Sequence, residues 1–235
     1  DLCLFADDTA LLSQHRDTVQ ARENLQSYLQ VLQKWLTRWR IAINTEKSAA
    51  IIFKNISLRR YPNNLRLFHN NIPWKTSTTY LGITLDKTLH YITHIKNSCA
   101  KFKKKLLYQI PILRRRSKLP LHLKRLVYLQ YLQPLLTYGC AIWGSTYPTH
   151  IKKLQLLQNR ALRIITTAPV FIPRRVLHDE LQVESIPHTL RKLSSSFYNS
   201  LQNHHNPTIN CLARPIHINS RRNYPNMAQF ADNIF

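Results

Sequence analysis

The chain is 235 residues long and strongly basic, with 34 Lys and Arg residues against 11 Asp and Glu residues and a formal net charge of +23. Its hydrophobic content of 44% excludes a disordered tail, and a chain of this length can bury a substantial core. The charge excess predicts attraction to a polyanion, with nucleic acid ahead of a membrane surface.

The first predicted element is a β-hairpin, because two short apolar runs at residues 2–5 and 9–13 flank Ala6-Asp7-Asp8. Two adjacent carboxylates are costly to hold together unless a cation neutralises them. At a hairpin turn they can present oxygens to a divalent cation such as Mg²⁺. The dipeptide alone leaves the alternative open that this is an ordinary exposed Asp-Asp turn.

A long helix is predicted next, over residues 17–40. Asp17 and Thr18 can cap its first turn. Its apolar residues alternate spacings of four and three, which predicts a single stripe along one helix face: Leu25, Leu29, Leu32, Leu36 and Trp39.

Strand-like segments follow this helix. We expect strands at residues 41–43, 49–53, 65–68 and 80–85. Turns are predicted at Pro62-Asn63-Asn64 and at Asn70-Asn71. Together with the first hairpin and the long helix, these segments predict a small antiparallel sheet that ends near residue 88.

The pattern then becomes helical, and between Asp86 and Asp179 the chain has no carboxylate although it carries many Lys and Arg residues. A solvated face normally mixes both signs of charge, so this stretch indicates a phosphate-facing surface. The alternative is an unusually basic helical domain without such a partner. Helices are expected near residues 91–109, 121–143, 148–167 and 185–203, with boundaries at Pro111, Pro120 and Pro148.

One uncharged run, residues 126–143, approaches the roughly 20 residues that a membrane-spanning helix needs. Gln130, Gln133 and Thr137 interrupt the run and basic clusters flank it. A buried core helix is therefore the better interpretation, and we expect no membrane partner.

Cysteine, glycine and histidine usage narrows the site chemistry. Only three glycines occur, which excludes Gly-rich phosphate loops of the Walker or dinucleotide type. His90 and His94 could share a helix face, but a third metal ligand is missing, so we interpret them as surface histidines. The cysteines are too far apart for a disulfide framework or a zinc finger and fit a reducing, intracellular location, nuclear or cytoplasmic: Cys3, Cys99, Cys140 and Cys211.

Three motifs occur in the order of a known family. Phe5-Ala6-Asp7-Asp8 between apolar strands resembles motif C of reverse transcriptases, and Phe in place of Tyr is similar to the version in non-LTR retrotransposons, notably the jockey-like group. Residues 39–48 (Trp-Arg-Ile-Ala-Ile-Asn-Thr-Glu-Lys-Ser) resemble motif D, and residues 80–86 (Tyr-Leu-Gly-Ile-Thr-Leu-Asp) resemble motif E. Residues 135–144 and 153–163 resemble the thumb and the region beyond it. The chain thus resembles the C-terminal part of such an enzyme, from motif C onward.

The resemblance implies an α+β fold with three parts. Residues 1–88 would be the C-terminal part of the polymerase palm, formed by the β-hairpin, the long helix and a small antiparallel sheet. Residues 89–167 would be a basic helical region like a polymerase thumb. Residues 168–235 would be a C-terminal extension, partly helical and then irregular beyond Pro207.

The resemblance also implies roles for single residues. Asp7 would ligate the metal, Mg²⁺ or Mn²⁺, with Asp8 in support, and paired ions of this kind are a general device for in-line attack at phosphorus. Lys47 would donate a proton to the leaving pyrophosphate, and a solvated loop lysine is an equally good interpretation. The primer strand would be gripped by three residues that are also compatible with plain strand packing: Tyr80, Leu81 and Gly82.

The thumb-like region would hold a template–primer duplex by its phosphates. If so, affinity should fall with salt at a log–log slope of about −0.9 per phosphate neutralised. The residues expected to make these contacts are Lys101, Lys103, Lys104, Lys105, Arg114, Arg115, Arg116, Lys118, Lys124 and Arg125.

The implied function is RNA-directed DNA polymerisation, in which nucleotides are added to a DNA primer on an RNA template during retrotransposition. The partners would be the RNA template, the DNA primer or target, deoxynucleoside triphosphates, and upstream fingers, palm and endonuclease segments. No motif A aspartate precedes motif C here, so we expect the isolated chain not to polymerise. The alternative is a non-catalytic nucleic-acid-binding remnant of a mobile element.

Overall fold

The structure is a computed structural model that describes residues 1–54, 61–202 and 204–213. The chain divides into two units, Asp1–Leu89 (unit 1) and the residues from His90 onward (unit 2). Unit 1 combines short β-hairpins with one long helix, whereas the described part of unit 2 is helical. The predicted α+β class is therefore confirmed.

Unit 1 contains three two-stranded antiparallel sheets within its described residues. Each is a hairpin of consecutive strands: β1 (Leu2–Phe5) with β2 (Asp8–Leu11), β3 (Leu65–Leu67) with β4 (Asn70–Ile72), and β5 (Ser77–Tyr80) with β6 (Ile83–Asp86). The first residue of each two-residue turn has a positive φ, namely Ala6 (50°), Phe68 (47°) and Leu81 (47°). Positive φ at this position matches the twist of hairpin strands, although it is costly for any residue with a side chain.

The core of unit 1 lies between α1 (Thr18–Trp39) and the β3–β4 hairpin. The Asp17 side chain caps α1 by accepting a hydrogen bond from the backbone N–H of Val19 (3.0 Å), as predicted. Gln26 of α1 exchanges two hydrogen bonds with the backbone of Arg66, at 2.8 and 3.0 Å, which fixes the helix on the edge of β3. The buried cluster comprises Leu29, Ala50, Leu65, Leu67 and Ile72.

Several predictions for unit 1 were wrong. Residues 41–43 are irregular, and residues 49–53 contribute only an isolated bridge between Ala50 and Trp74. The turn predicted at Asn70-Asn71 lies instead at Phe68-His69, because this register buries both Leu65 and its partner Ile72. Trp39, placed in the buried stripe by its spacing, is 63% exposed.

Unit 2 is built around α6 (Pro148–Thr166), which contacts α2 (Ile92–Leu113), α3 (Leu121–Val127), α7 (Arg174–Leu181) and α8 (Ile186–Gln202). The predicted helices at 148–167 and 185–203 are confirmed, whereas the helix at 174–181 was not predicted. The other α-helices in the described part of unit 2 are α4 (Pro134–Thr137), α5 (Cys140–Trp143) and α9 (Pro207–Asn210).

The helix predicted over residues 121–143 is broken in two places. A π-helical segment, Tyr128–Leu132, precedes Pro134, and the N–H of Gln133 reaches the carbonyl of Tyr128 at 2.8 Å. The wider turn accommodates a proline ring that lacks an N–H and would clash with a regular α-helix. The second break is at Gly139, whose φ of 65° suits glycine. No described helix is long and apolar enough to cross a membrane.

The structure also differs from the sequence-based predictions at one proline and in the C-terminal region. Pro111 lies inside the last turn of α2 instead of ending it, because two more helical residues bring Leu113 into the core. The chain beyond Pro207, expected to be irregular, first forms α9 and a 3₁₀ turn, Cys211–Ala213. The rest of that expectation, residues 214–235, lies outside the described residues.

Candidate functional site

The two adjacent aspartates lie at the tip of the β1–β2 hairpin. Phe5 pairs with Asp8 across the ladder, so Ala6 and Asp7 form the turn and Asp8 begins β2. Both aspartates are exposed. Ala6 has a φ of 50°, a left-handed conformation that costs a residue other than glycine about 1–2 kcal/mol. Strained backbone of this kind is concentrated at functional sites, so the turn is a candidate site on its geometry as well as its carboxylates.

The tip of this hairpin supplies part of a ligand set for a divalent cation. Carboxylate oxygens are the ligands that Mg²⁺ prefers, and the exposure of Asp7 and Asp8 leaves room for an ion that keeps several waters. In the part of the chain that the structure describes, no three His, Cys, Asp or Glu side chains gather into a metal-binding group. The two carboxylates therefore fit a divalent cation only together with further oxygen ligands.

The hairpin and the motif D-like loop pack against the same buried cluster of unit 1. Leu11 of β2 and Ile43 of the loop are both partly buried against it. The strand β1 is less well covered, because Leu2, Leu4 and Phe5 are exposed. The aspartate turn thus projects from the core on one anchored strand.

Lys47 lies in a turn at residues 45–47 whose backbone is held by Asn44. The Asn44 side-chain oxygen accepts hydrogen bonds from the backbone N–H groups of Glu46 (3.0 Å) and Lys47 (3.2 Å). This is the local bonding by which Asn side chains stabilise turns. The Lys47 side chain is exposed, so the loop has a defined backbone and a solvated ammonium group. Its catalytic role stays a prediction.

The three residues predicted to grip the primer occupy the β5–β6 hairpin. The strand predicted over residues 80–85 is confirmed only in part, because Leu81 (φ 47°) and Gly82 (φ 78°) form a two-residue turn between Tyr80, which ends β5, and Ile83, which begins β6. A type I′ turn needs positive φ at both central residues and favours Asn or Gly there. Gly82 meets that need, whereas Leu81 is held in an unfavourable conformation. The role of this turn at the primer stays a prediction.

Eight of the ten predicted nucleic-acid-binding residues are exposed. Four of them lie on α2 and four in the connection from α2 to α3: Lys101, Lys103, Lys104, Lys105, Arg114, Arg115, Arg116 and Lys118. The ammonium group of Lys105 also lies 5.7 Å from the centre of the Tyr131 ring, a cation–π contact. The exposed residues form a single-sign surface that can face phosphates.

Lys124 and Arg125 are placed differently. Lys124 is buried, and its Nζ donates to the carbonyl of Arg114 (2.9 Å), the residue that caps α2. Arg125 donates to the carbonyls of Leu181 (2.6 Å) and Gln182 (3.1 Å) at the end of α7. Cations commonly satisfy the unpaired carbonyls at helix C-termini. These two side chains therefore carry structural hydrogen bonds, which spacing along the sequence did not indicate.

The interpretation of His94 as a surface residue was wrong. His94 is 5% exposed, and its ring lies 5.6 Å from that of Trp143. Burial lowers its pKa, and the charge of Lys101 acts in the same direction. Cys140 is buried, Cys99 is half-buried, and Cys3 and Cys211 are exposed; all four are free thiols.

Sequence reasoning missed a buried polar network that joins α6, α7 and α8. Gln158 is fully buried, donates to the carbonyl of Glu184 (2.9 Å) and accepts from the backbone N–H of Ile186 (3.1 Å). His178 hydrogen-bonds the carbonyl of Val183 (2.7 Å) and lies 3.1 Å from the Asn159 side-chain oxygen. The spacing of Gln155, Gln158 and Asn159 on one face of α6 was the available signal.

Comparison with known proteins shows which polymerases the chain is similar to. Residues 1–85 match the family described as "Reverse transcriptase (RNA-dependent DNA polymerase)". The chain is 31% identical, over 94% of its length, to the "Probable RNA-directed DNA polymerase from transposon X-element" of Drosophila melanogaster and covers 24% of that protein. It is 32% identical, over 87% of its length, to the "RNA-directed DNA polymerase from mobile element jockey" of the same species and covers 22% of it.

The similarity to these relatives extends beyond the segment that matches the reverse transcriptase family, but it covers only part of the length of each relative. The chain spans about a quarter of the length of the curated relatives it matches. No solved structure matches it. The reverse transcriptase family generally uses a divalent metal. With the motif order, the hairpin geometry and these similarities in agreement, residues 1–85 match the reverse transcriptase family, and the chain as a whole is similar to about a quarter of the polymerases of jockey-like non-LTR retrotransposons.

Proposed function

We propose that this chain forms part of an RNA-directed DNA polymerase. It supplies part of the ligand set of the metal site, the turn that contacts the primer, and the thumb. The observation that carries the proposal is the β1–β2 hairpin, whose strained tip presents two exposed carboxylates. It lies within the segment that matches the reverse transcriptase family. The substrates would be deoxynucleoside triphosphates, a DNA primer and an RNA template.

In this function the chain's own residues bind, orient and protonate. A bound divalent ion would supply charge stabilisation for in-line attack at phosphorus. Asp7 would hold it by its carboxylate oxygens, with Asp8 in support. Lys47 donates a proton to the departing pyrophosphate, and before the transfer its positive charge stabilises the anion that develops there. The Leu81-Gly82 turn approaches the primer backbone closely, since Gly82 has no side chain.

The exposed cations of unit 2 hold the nucleic acid duplex. The α2 lysines and the arginines after α2 neutralise backbone phosphates without reading bases. Because the chain carries no carboxylate between Asp86 and Asp179, no acidic group on this stretch opposes a polyanion. The binding is therefore expected to be strong, salt-dependent and indifferent to sequence.

The alternative function is a nucleic-acid-binding remnant without catalysis. The absence of a three-residue metal group in the described residues favours this for the isolated chain. We accordingly expect no primer extension from the chain alone. Metal-dependent extension by the isolated chain would contradict that expectation.

A chimeric polymerase tests the proposal. The matching segment of the Drosophila jockey polymerase is replaced by this chain, and extension of a DNA primer on an RNA template is measured. Asp7→Asn should lower the rate by about 100-fold or more, since a lost metal ligand removes several kcal/mol of transition-state stabilisation. Asp17→Asn is the matched control, because Asn caps a helix as well as Asp does and the rate should not change.

A second measurement keeps the proposal testable if the chimera does not fold. In the isolated chain, paramagnetic Mn²⁺ should broaden the amide NMR signals of residues 6–9 before other signals. Asp7→Asn should remove this broadening and Asp17→Asn should leave it. Full activity of the Asp7→Asn chimera, or no selective broadening at the hairpin, would overturn the proposal.

A further inference from the structure

The connection between α6 and α7 exposes two large apolar side chains at its tip. Val170 is 88% exposed and Phe171 is 81% exposed, the highest values among the large hydrophobic residues that the structure describes. Neither residue belongs to the segment that matches the reverse transcriptase family. An exposed apolar pair of this size marks a surface that can bind an external ligand.

This tip has a defined backbone. The N–H of Ile172 donates to the carbonyl of Pro169 (3.2 Å) and closes a turn with Val170 and Phe171 at its centre. The guanidinium of Arg163 donates to the carbonyls of Pro169 (2.6 Å) and Ile172 (2.9 Å), so one side chain of α6 clamps both ends of the turn. The aromatic ring is thus presented on a preformed support, which lowers the entropic cost of binding.

An open cavity of about 830 Å³ lies beside the turn. Its lining is mostly apolar and includes Leu156 and Ile164 of α6 and the ring of Phe171. Three guanidinium groups, those of Arg160, Arg163 and Arg174, also line it, and no carboxylate does. Asp179, the first acid after this region, lies 3.6 Å from Arg175 in an ion pair.

We propose that this cavity and turn, which we name the Phe171 site, bind single-stranded nucleic acid. A ligand that suits the site needs flat apolar faces and regularly spaced negative charges, and unpaired nucleotides combine both. Phe171 stacks on one base, and the apolar lining of the cavity contacts the next base along the strand. Arg160 and Arg174 contact the flanking phosphates. A duplex is excluded because its base faces are already stacked within the helix. The site is separate from the duplex-holding cations of α2 and does not depend on polymerase activity.

Fluorescence of an oligonucleotide that carries 2-aminopurine tests the Phe171 site, because stacking on an aromatic ring quenches this base. The isolated chain should quench it on binding. Phe171→Ala should weaken binding of single-stranded RNA or DNA by about 5- to 150-fold and abolish the quenching, whereas Phe171→Trp should retain both. Affinity for a duplex of the same length should change less than about twofold with either variant, since duplex is held elsewhere.

Matched controls separate stacking from damage to the fold. Phe197→Ala removes another exposed ring, on α8, and should leave single-strand affinity unchanged. Arg174→Gln should weaken binding, whereas Arg175→Gln should not, because Arg175 is paired with Asp179. The melting temperature of Phe171→Ala should equal that of the parent chain, as the ring is exposed.

Each outcome decides the proposal. A loss of binding with RNA alone, with DNA alone or with both supports the site and identifies the strand. Unchanged single-strand affinity in Phe171→Ala would overturn it, as would an equal loss for single strand and duplex. Binding of an acidic peptide through Phe171, with no Phe171-dependent binding of the oligonucleotide, would assign the site to a protein partner and also overturn it.

Discussion

The two units differ in how completely they bury their apolar residues. In unit 1 the described core is thin, with exposures of 3–9% for its five clustered residues. In unit 2 many large side chains are fully buried, among them Phe102, Leu113, Leu132, Ile151 and Ile186. Unit 1 also leaves large apolar side chains exposed on β1 and α1: Leu4, Phe5, Val31, Trp35 and Trp39.

The turns proposed to act in catalysis and the densest core therefore lie in different units. The proposed metal-binding turn and the proposed primer-contacting turn lie in unit 1 and hold Ala6 and Leu81 in unfavourable backbone conformations. The exposed cations lie in unit 2, on helices fixed by a dense core. Buried apolar area stabilises by about 25 cal/mol per Å². We therefore expect unit 1 to have the lower free energy of unfolding, and the predictions that follow test this contrast.

The largest effect is expected from a cavity in the core of unit 2. Phe102→Ala should lower the free energy of unfolding of unit 2 by about 3–5 kcal/mol, because Phe102 is fully buried. Residue-resolved hydrogen exchange measures this and should show little change in unit 1. Leu107→Ala on the same helix is the control, since Leu107 is 65% exposed and the cost should stay within about 0.5 kcal/mol. Equal losses in both units would mean that they unfold together.

The polar network of unit 2 should be the next most sensitive feature. Gln158→Leu nearly keeps the volume of this fully buried side chain but leaves the carbonyl of Glu184 without its donor, at a cost of about 1–3 kcal/mol. Gln130→Leu, at an exposed position, should be nearly neutral. Urea unfolding compares the two variants. If Gln158→Leu proved as stable as the parent chain, the network would not contribute to the stability of unit 2.

Strain in unit 1 predicts a smaller effect of opposite sign. Ala6→Gly should raise the stability of unit 1 by about 0.5–1 kcal/mol, because glycine adopts a positive φ without steric cost. Ala10→Gly, in β2, is the same substitution at a position without positive φ and should destabilise. Thermal unfolding of unit 1 distinguishes them. A loss of stability in Ala6→Gly would show that the turn is not strained.

A further effect concerns pH. The lowered pKa of His94 means that the unfolded chain, with a value near 6.5, binds this proton more readily than the folded chain. Unit 2 should therefore lose stability as the pH falls below about 6.5 and recover it above. The pKa of His150 is lowered in the same direction. His94→Phe should flatten the dependence in urea unfolding at several pH values, and greater stability in acid would contradict it.

The sequence predicted the elements that local pattern determines. The Asp-Asp hairpin, the capped helix after it and the helices around residues 148–167 and 185–203 follow from alternation, spacing and capping residues. These patterns involve residues that are close together along the chain, so they can be recognised in a single sequence.

Other features depend on contacts between distant residues. The register of β3 on β4 is decided by burial of Leu65 and Ile72 and overrides the Asn-Asn turn signal. The sequence predicted that Lys124 and Arg125 bind phosphates. In the structure their side chains donate hydrogen bonds to the carbonyls of Arg114 and Leu181. Such partners lie 10 and 56 residues away along the chain, beyond the reach of spacing arguments.

The central claim is that the exposed cations of unit 2 bind a nucleic acid duplex through its phosphates. The direct test is the affinity of the isolated chain for an RNA–DNA hybrid over a range of salt concentrations. The log–log slope should be about −0.9 per phosphate neutralised, and replacing Lys101, Lys103, Lys104 and Lys105 by Gln should reduce the slope by about one for each lysine that contacts phosphate. A slope near zero, or an unchanged slope after all four replacements, would contradict the claim.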